Sequence, residues 1–403
     1  MVACFVNPFR PGAGHMPPYL AGRQLETEEF RNLLHQTTIL QNVVLTGLRG
    51  VGKTVLLDTW KSLAFQNGWG WVGTDLSEAA SLTEERLVLR LMTDLALVTS
   101  SIVLETEEIS SMGFRPEIQK VHRTLDFESM NQLYTATPGL VADKLKTVLE
   151  LAWQCLKREN KRGIIFAYDE AQNLADHGQK EEYPLSLLLD VFQSIQKKDI
   201  PFMLVLTGLP TLFPKLVEAR TFAERMFHVI FLDRLNEDES KDAIEKPLEK
   251  NKCPFLHEWW VKQIIDYSGG YPYFLQFISR EFVDTYIQVK EQAREADRKT
   301  FSISFGEIIR KLDSDFFSGR WASATDRQRE ILTIIAHLET SEREFSVQEI
   351  AANSKEMSTK PFTPSHISQM LVSLCNAGLV YKNRHGKYSF AVPLLGRFIL
   401  RQR

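Results

Sequence analysis

Cysteine is scarce in this 403-residue chain, and long apolar runs are missing. Cys4, Cys155, Cys253 and Cys375 lie far apart without Cys-x-x-Cys spacing, so neither a disulfide framework nor a thiolate zinc site is expected. No stretch approaches the roughly 18 apolar residues of a membrane span. The opening MVACFVNPFRPG has neither a basic region nor a long apolar core, so a secretory leader is not expected and the cytoplasm is the expected location. Strong charge of one sign is also lacking. With 48 Lys and Arg against 51 Asp and Glu, net −3, an anionic partner has to be met by a local patch. The histidines show no His-x-x-x-His or His-x-x-Glu-His spacing, which gives no sign of a metalloenzyme.

What is present is an ordinary soluble composition, long enough for two or three domains. Short apolar runs at 42–47, 69–76, 163–171, 201–209 and 227–235 read as strands separated by helical patterns. That alternation predicts an α/β sandwich with a parallel sheet. The 77–162 stretch is too long for a plain connection and is expected to carry helices at 82–98 and 139–158. Expected boundaries are an N-terminal arm at 1–24, an α/β domain at 25–236, a helical domain at 237–320 and a last domain at 321–403. Trp69, Trp71, Trp259 and Trp260 sit on apolar elements and are expected in the core.

The stretch LTGLRGVGKTVLL, residues 45–57, concentrates glycine directly after the first strand. It fits G-x-x-x-x-G-K-[ST] through Gly47, Gly52, Lys53 and Thr54, between a strand and a helix. Bare backbone there lets successive N–H groups curl around a phosphate, which a Cβ would block. Lys53 supplies a point charge to the β- and γ-phosphates, Thr54 a hydroxyl for Mg²⁺, and the helix N-terminus a positive partial charge. Gly47, Leu48, Arg49, Gly50, Val51, Gly52, Lys53, Thr54 and Val55 are therefore the candidate nucleotide-binding loop. In IIFAYDEA, Asp169 at a strand end is the second candidate for holding magnesium, and Glu170 the candidate general base for water. No Asn-Lys-x-Asp guanine signature is present, so ATP is the expected nucleotide. Ligands of parallel sheets collect outside C-terminal strand ends, which makes Thr207 a candidate for the γ-phosphate or the attacking water. Arg225, and with less reason Arg220, are candidates for an arginine finger acting on a neighbouring subunit's nucleotide.

In this order the motifs resemble the AAA+ and STAND ATPases, and most nearly the bacterial and archaeal ATPases with an origin-recognition-like AAA domain. PPYLAGRQLETEEF is similar to that family's Gly-Arg segment, implying that Gly22 and Arg23 lie against the adenine, although Gln24 stands where an acidic residue is usual. YSGGYPYFLQF resembles the Gly-x-Pro signature of the helical lid, with Gly270 and Pro272, and implies phosphate contact near Pro272. The lid lacks an obvious second-sensor arginine, Arg280 being poorly placed, which favours a switch over a fast motor. The resemblance implies sheet order 5-1-4-3-2, ATP with Mg²⁺, and nucleotide-dependent assembly.

The last 80 or so residues read as a winged helix. The cues are an amphipathic helix at 326–338, a capping box from Ser346 to Glu349, a helix opened by Thr363 or Ser365 and ended by Gly378, and two alternating strands with a turn at Asn383–Gly386. Residues 322–403 carry eleven Lys and Arg against seven Asp and Glu, net +4. The helix at 365–377 has no Lys or Arg; Ser365, His366, Ser368, Gln369 and Asn376 are candidates for base edges, and Lys382, Arg384 and Lys387 for phosphates. The expectation is a slow ATPase switch acting on duplex DNA through 365–387. The alternative is a signalling or defence switch whose winged helix grips a protein, and a third option is an ATP-bound scaffold without turnover.

Overall fold

The computed structural model describes residues 6–110, 118–251, 257–292, 304–384 and 386–402. The chain divides into two compact units, one of Gln24–Thr46 and Leu56–Phe231, the other of Met1–Arg23, Gly47–Val55 and Leu232–Arg403.

The first unit is built on the sheet. Its strands are β1 (Asn42–Gly47), β2 (Trp69–Val72), the pair β3 (Val103–Ser110) and β4 (Ile118–Thr124), then β5 (Gly163–Tyr168), β6 (Phe202–Gly208) and β7 (Phe227–Leu232). The five-stranded sheet runs β2-β5-β6-β1-β7, with β2–β5, β5–β6 and β6–β1 parallel. Setting aside the β3–β4 hairpin, this is the expected order 5-1-4-3-2. Every residue of β1, β5 and β6 is buried, which is why these strands are continuous apolar runs, whereas β7 at the edge turns Val229 and Phe231 outward. Asn42 fixes the start of β1: its Oδ1 accepts from Leu204 N at 2.7 Å and Gln196 Nε2 at 2.8 Å. The long insertion holds the helices Glu84–Thr99 and Val141–Arg158 near the expected positions, a further helix Phe127–Ala136, and the antiparallel hairpin β3–β4. The first helix, Gln24–Leu33, buries Phe30, but Leu25 points to solvent at 79% exposure and does not belong to its apolar face.

From Glu237 to Ser323 the described residues of the second unit are mainly helical. Helices Glu237–Lys250, Glu258–Ser268, Pro272–Gln292 and Phe305–Leu312 lead through a π turn, Asp313–Phe317, into the short helix Ser318–Ser323. Gly269 caps one helix in the left-handed region and Gly270 follows at φ 77°; Pro272 then starts the next, where its missing N–H costs no hydrogen bond. Trp260 packs on the core as expected, but Trp259 is 52% exposed and is not core. The arm is tied down by Asn7 Nδ2, which donates to the Arg280 carbonyl at 2.9 Å and Asp284 Oδ1 at 2.7 Å, and by buried Phe9.

After residue 323 come helices Asp326–Ala336, Val347–Met357 and Pro364–Asn376, the antiparallel sheet of β8 (Phe345–Ser346), β9 (Val380–Arg384) and β10 (Lys387–Phe390), and a closing helix Leu395–Arg401. The Ser346–Glu349 capping box forms, and Thr363 caps the third helix by accepting from His366 N. The closing helix docks back on the segment before 323. Phe398 stacks on Phe317 at 5.0 Å, and Arg401 forks onto Asp313 at 2.9 and 2.5 Å.

Candidate nucleotide site

The candidate residues fall in both units, and each group has its own geometry. In the helical unit, the loop from Gly47 to Thr54 depends on glycine for three distinct reasons. A Cβ on Gly47 would stand 2.3 Å from the Leu232 carbonyl oxygen. Gly50 has φ 78° and would press on Tyr273 Cβ at 3.1 Å. Gly52, at φ 95°, would meet nothing within 4 Å, so its missing side chain faces open space. The first glycine admits a neighbouring backbone, and the last leaves a hollow. Lys53 Nζ donates to the carbonyls of Gly47 and Leu48, each at 2.9 Å, which folds the ammonium back along the loop. Gly14 of the arm passes Thr54 closely enough that a Cβ there would lie 3.3 Å from Thr54 Cγ2.

Arg23 is buried, and its Nη2 donates to Val51 O at 3.0 Å and Asp233 O at 2.7 Å. Its guanidinium thus braces the Gly47–Thr54 loop through the Val51 carbonyl. Gly22, at φ 62°, lies where a Cβ would strike Glu239 at 2.5 Å. At the start of the helix led by Pro272, the next amide, Tyr273 N, donates to Gly50 O at 3.1 Å. The loop and that helix are therefore bonded directly. Arg280 lies further along the helix, 3.6 Å from Asp284.

In the sheet unit, Tyr168 pairs with Leu206, so Asp169 and Thr207 occupy matching positions just past it on adjacent strands. Asp169 is buried, its Oδ1 accepting from Glu170 N at 2.8 Å while its backbone bridges to Asp75. Glu170 sits in the left-handed region at φ 50°, exposed, and accepts a hydrogen bond from Gln172 Nε2. Gln172 Oε1 in turn accepts from Leu209 N at 3.1 Å, and its carbonyl from Lys215 Nζ at 2.8 Å. Burial holds Lys215 below the usual lysine range. Thr207 is completely buried and its Oγ1 has no hydrogen-bond partner among the described residues; the same holds for the Thr46 hydroxyl on the neighbouring strand. Buried hydroxyls normally find partners, so these two on adjacent strands are exceptions.

Arg220 is committed: it forks onto Asp190 at 2.9 and 2.7 Å, and that bond raises its pKa further. Arg225, on the short helix Ala223–Met226, is exposed and has no acidic partner among the described residues. Only Arg225 of the two is available to act elsewhere.

For magnesium, no group of three or more His, Cys, Asp or Glu is assembled among the described residues. Thr54 in one unit and Asp169 in the other each carry an oxygen donor of the kind a magnesium ion takes, together with phosphate and water.

In the last domain, Ser365, Gln369 and Asn376 are exposed, but His366 leans on Phe362 at 5.3 Å and Ser368 Oγ returns to Pro364 O at 2.9 Å. Arg384 forks onto Glu344 at 3.1 and 2.8 Å, and Lys387 meets Glu349 at 3.3 Å. Lys382 is the exposed wing cation without such a pair; residue 385 of the expected turn lies outside the described residues.

Sequence reasoning missed Gln172, Lys215 and Tyr273. Gln172, two residues beyond Glu170, and Tyr273, directly after Pro272, stand beside residues already singled out, so position was their only signal.

In fold the chain is similar to the ORC2 protein of Aeropyrum pernix in its ADP form, with 15% identity, a TM-score of 0.52, and 97% of this chain and 95% of that one covered. It is also similar to the Aeropyrum pernix ORC1 protein in complex with DNA (16% identity, TM-score 0.43, covering 96% and 94%). A third similar structure is Cdc6p of Pyrobaculum aerophilum (15%, 0.44, 97% and 96%). At these identities the likeness is one of fold. Residues 314–399 match a family described as a domain of unknown function, DUF8462. No curated protein matches the sequence.

Proposed function

We propose that the protein is an ATP-binding, slowly ATP-hydrolysing switch. One observation carries this reading: a strand-to-helix loop whose glycines at φ 78° and 95° bare their backbone, with Lys53 lying along it and Gly52 facing open space. Gly47 and Gly50 make room for Leu232 and Tyr273, but Gly52 at φ 95° makes room for nothing in the chain, and a bound phosphate would explain its cost. In this reading the loop amides and Lys53 take the phosphates. Thr54 and Asp169 hold the magnesium ion, which when bound neutralises charge on the β- and γ-phosphates. Glu170 accepts the proton of the attacking water, and Thr207 gives its orphaned hydroxyl to that water or to the terminal phosphate. Arg225 serves a nucleotide on a neighbouring copy, which makes assembly nucleotide-dependent. Loss of the terminal phosphate then shifts the helical and C-terminal segments.

The test uses three proteins. Lys53→Ala is expected to abolish ATP binding. Glu170→Gln is expected to bind ATP as the parent does while turnover falls about a hundredfold or more. Normal hydrolysis by Glu170→Gln would remove Glu170 as the base, and undiminished binding by Lys53→Ala would remove the nucleotide reading altogether. Binding without turnover in the parent would leave an ATP-held scaffold.

We read the last domain as a winged helix. A protein client, rather than duplex DNA, is favoured by one observation: Arg384 and Lys387 are paired with Glu344 and Glu349, while the third helix carries no cation and exposes Val372 at 58%.

A further inference from the structure

Arginines in the C-terminal half of the helical unit are mostly matched to acids. Arg327 pairs with Glu330, Arg329 with Asp326, Arg384 with Glu344, Arg397 with Glu342 and Arg401 with Asp313. Arg320 departs from that pattern. It sits half-buried on the short helix Ser318–Ser323, lies over the Phe316 ring at 4.7 Å, and donates from Nη1 to the Phe316 carbonyl at 2.8 Å. No acidic side chain pairs with it among the described residues. Phe316 in turn packs on Tyr273 with ring centroids 5.3 Å apart, and Tyr273 N holds Gly50 O at 3.1 Å. This continuous set of contacts brings Arg320 to the phosphate loop beside Arg49, itself exposed and without an acid. Burial first, and then the like charge of Arg49, lower the pKa of Arg320. Two guanidiniums close enough to repel, one of them partly desolvated, are unfavourable unless an anion lies near both.

The anion's identity follows from position. In a loop of this type the later amides serve the α- and β-phosphates and the lysine the β- and γ-phosphates, and Arg49 precedes Lys53 by four residues, on the side of the nucleotide's terminal phosphate. A phosphate presents several oxygens to which guanidinium forks are matched. We propose that Arg49 and Arg320 form a two-arginine clamp for the terminal phosphate of a bound nucleoside triphosphate, Arg320 being the ligand through which the segment leading into the last domain registers that phosphate. The clamp rests on the reading that the loop binds nucleotide. It supplies from residue 320 a phosphate contact that no arginine of the Pro272–Gln292 helix provides.

The test is calorimetric titration of the full chain, in magnesium buffer, with a non-hydrolysable ATP analogue and with ADP. Variants are Arg320→Ala, Arg320→Met, Arg49→Ala and Lys53→Ala. Arg320→Met keeps the stem packed on Phe316, and Arg49 is exposed, so neither change undermines the fold. The three arginine variants are expected to lose about tenfold or more in affinity for the analogue and less than about threefold for ADP. Lys53→Ala is expected to lose both ligands. If Arg49→Ala or Arg320→Met binds the analogue like the parent while Lys53→Ala does not, the clamp is wrong and the nucleotide site stands. Equal losses for both ligands would overturn the terminal-phosphate assignment. If the parent binds neither ligand, the site and the clamp fall together.

Discussion

Thr207 poses a sharp question for a single side chain. A hydroxyl fully buried without a partner costs about 1–3 kcal/mol relative to a satisfied one. Replacing it with valine removes that polar atom and keeps the branched shape a strand prefers. Thr207→Val is therefore expected to leave the melting midpoint unchanged or raised, with a gain of up to about 1 kcal/mol. ATP turnover is expected to fall about ten- to a hundredfold, with binding retained. A destabilised Thr207→Val with normal turnover would show the hydroxyl to be structural. Asp169 and Glu170 were legible because a strand that ends in two acids is conspicuous in an apolar run. Gln172 was not, because its role is spatial. It holds Glu170 through one end of its amide and Leu209 N through the other, and sequence separation hides that link.

Elements were legible where burial wrote itself into composition. The strands β1, β2, β5 and β6 are buried along their whole length, so each is a short, mainly apolar run between turn residues, and parallel pairing followed from the helices between them. The β3–β4 hairpin escaped because VLETEEIS and IQKVHRT carry few apolar residues, so neither reads as an apolar run. The π turn Asp313–Phe317 had no signature either, since an extra residue in a helical turn leaves the apolar spacing almost unchanged. The Gly269–Gly270 turn was legible, and its geometry makes a demand on Gly270. This residue has φ 77°, a Cβ on it would lie 2.4 Å from the Leu235 carbonyl, and its own carbonyl accepts from Leu235 N at 2.9 Å. Gly270→Ala is expected to cost at least about 2 kcal/mol by denaturant unfolding, and to weaken ATP binding because Pro272 and Tyr273 follow directly. Gly378 has a positive φ too, but nothing lies within 4 Å, so Gly378→Ala is expected to cost only about 1 kcal/mol. Similar losses at the two positions would mean that backbone conformation alone, and not the close approach to Leu235, sets the cost.

Over the whole molecule, charge arrangement decides between the two clients. A net +4 over residues 322–403 looks like a footprint for DNA when counted, yet the count ignores pairing. On the wing, Arg384 and Lys387 are neutralised by Glu344 and Glu349, whose carboxyls the same contacts, after hydrogen bonds from Asn383 and Ser346 respectively, hold below the usual glutamate range. A phosphate would have to break those pairs, which leaves Lys382 as the wing cation free to release counterions. Duplex affinity of the full chain, measured from low to physiological salt, is therefore expected to fall with a log–log slope shallower than about −2. Glu344→Gln together with Glu349→Gln is expected to steepen it by about one to two, since two cations are then freed. A parent slope of about −5 or steeper would place a broad basic surface on DNA and restore the duplex as client. A shallow slope that the double substitution leaves unmoved would mean that the wing lies outside any DNA contact, and would direct the search to proteins that cover Val372.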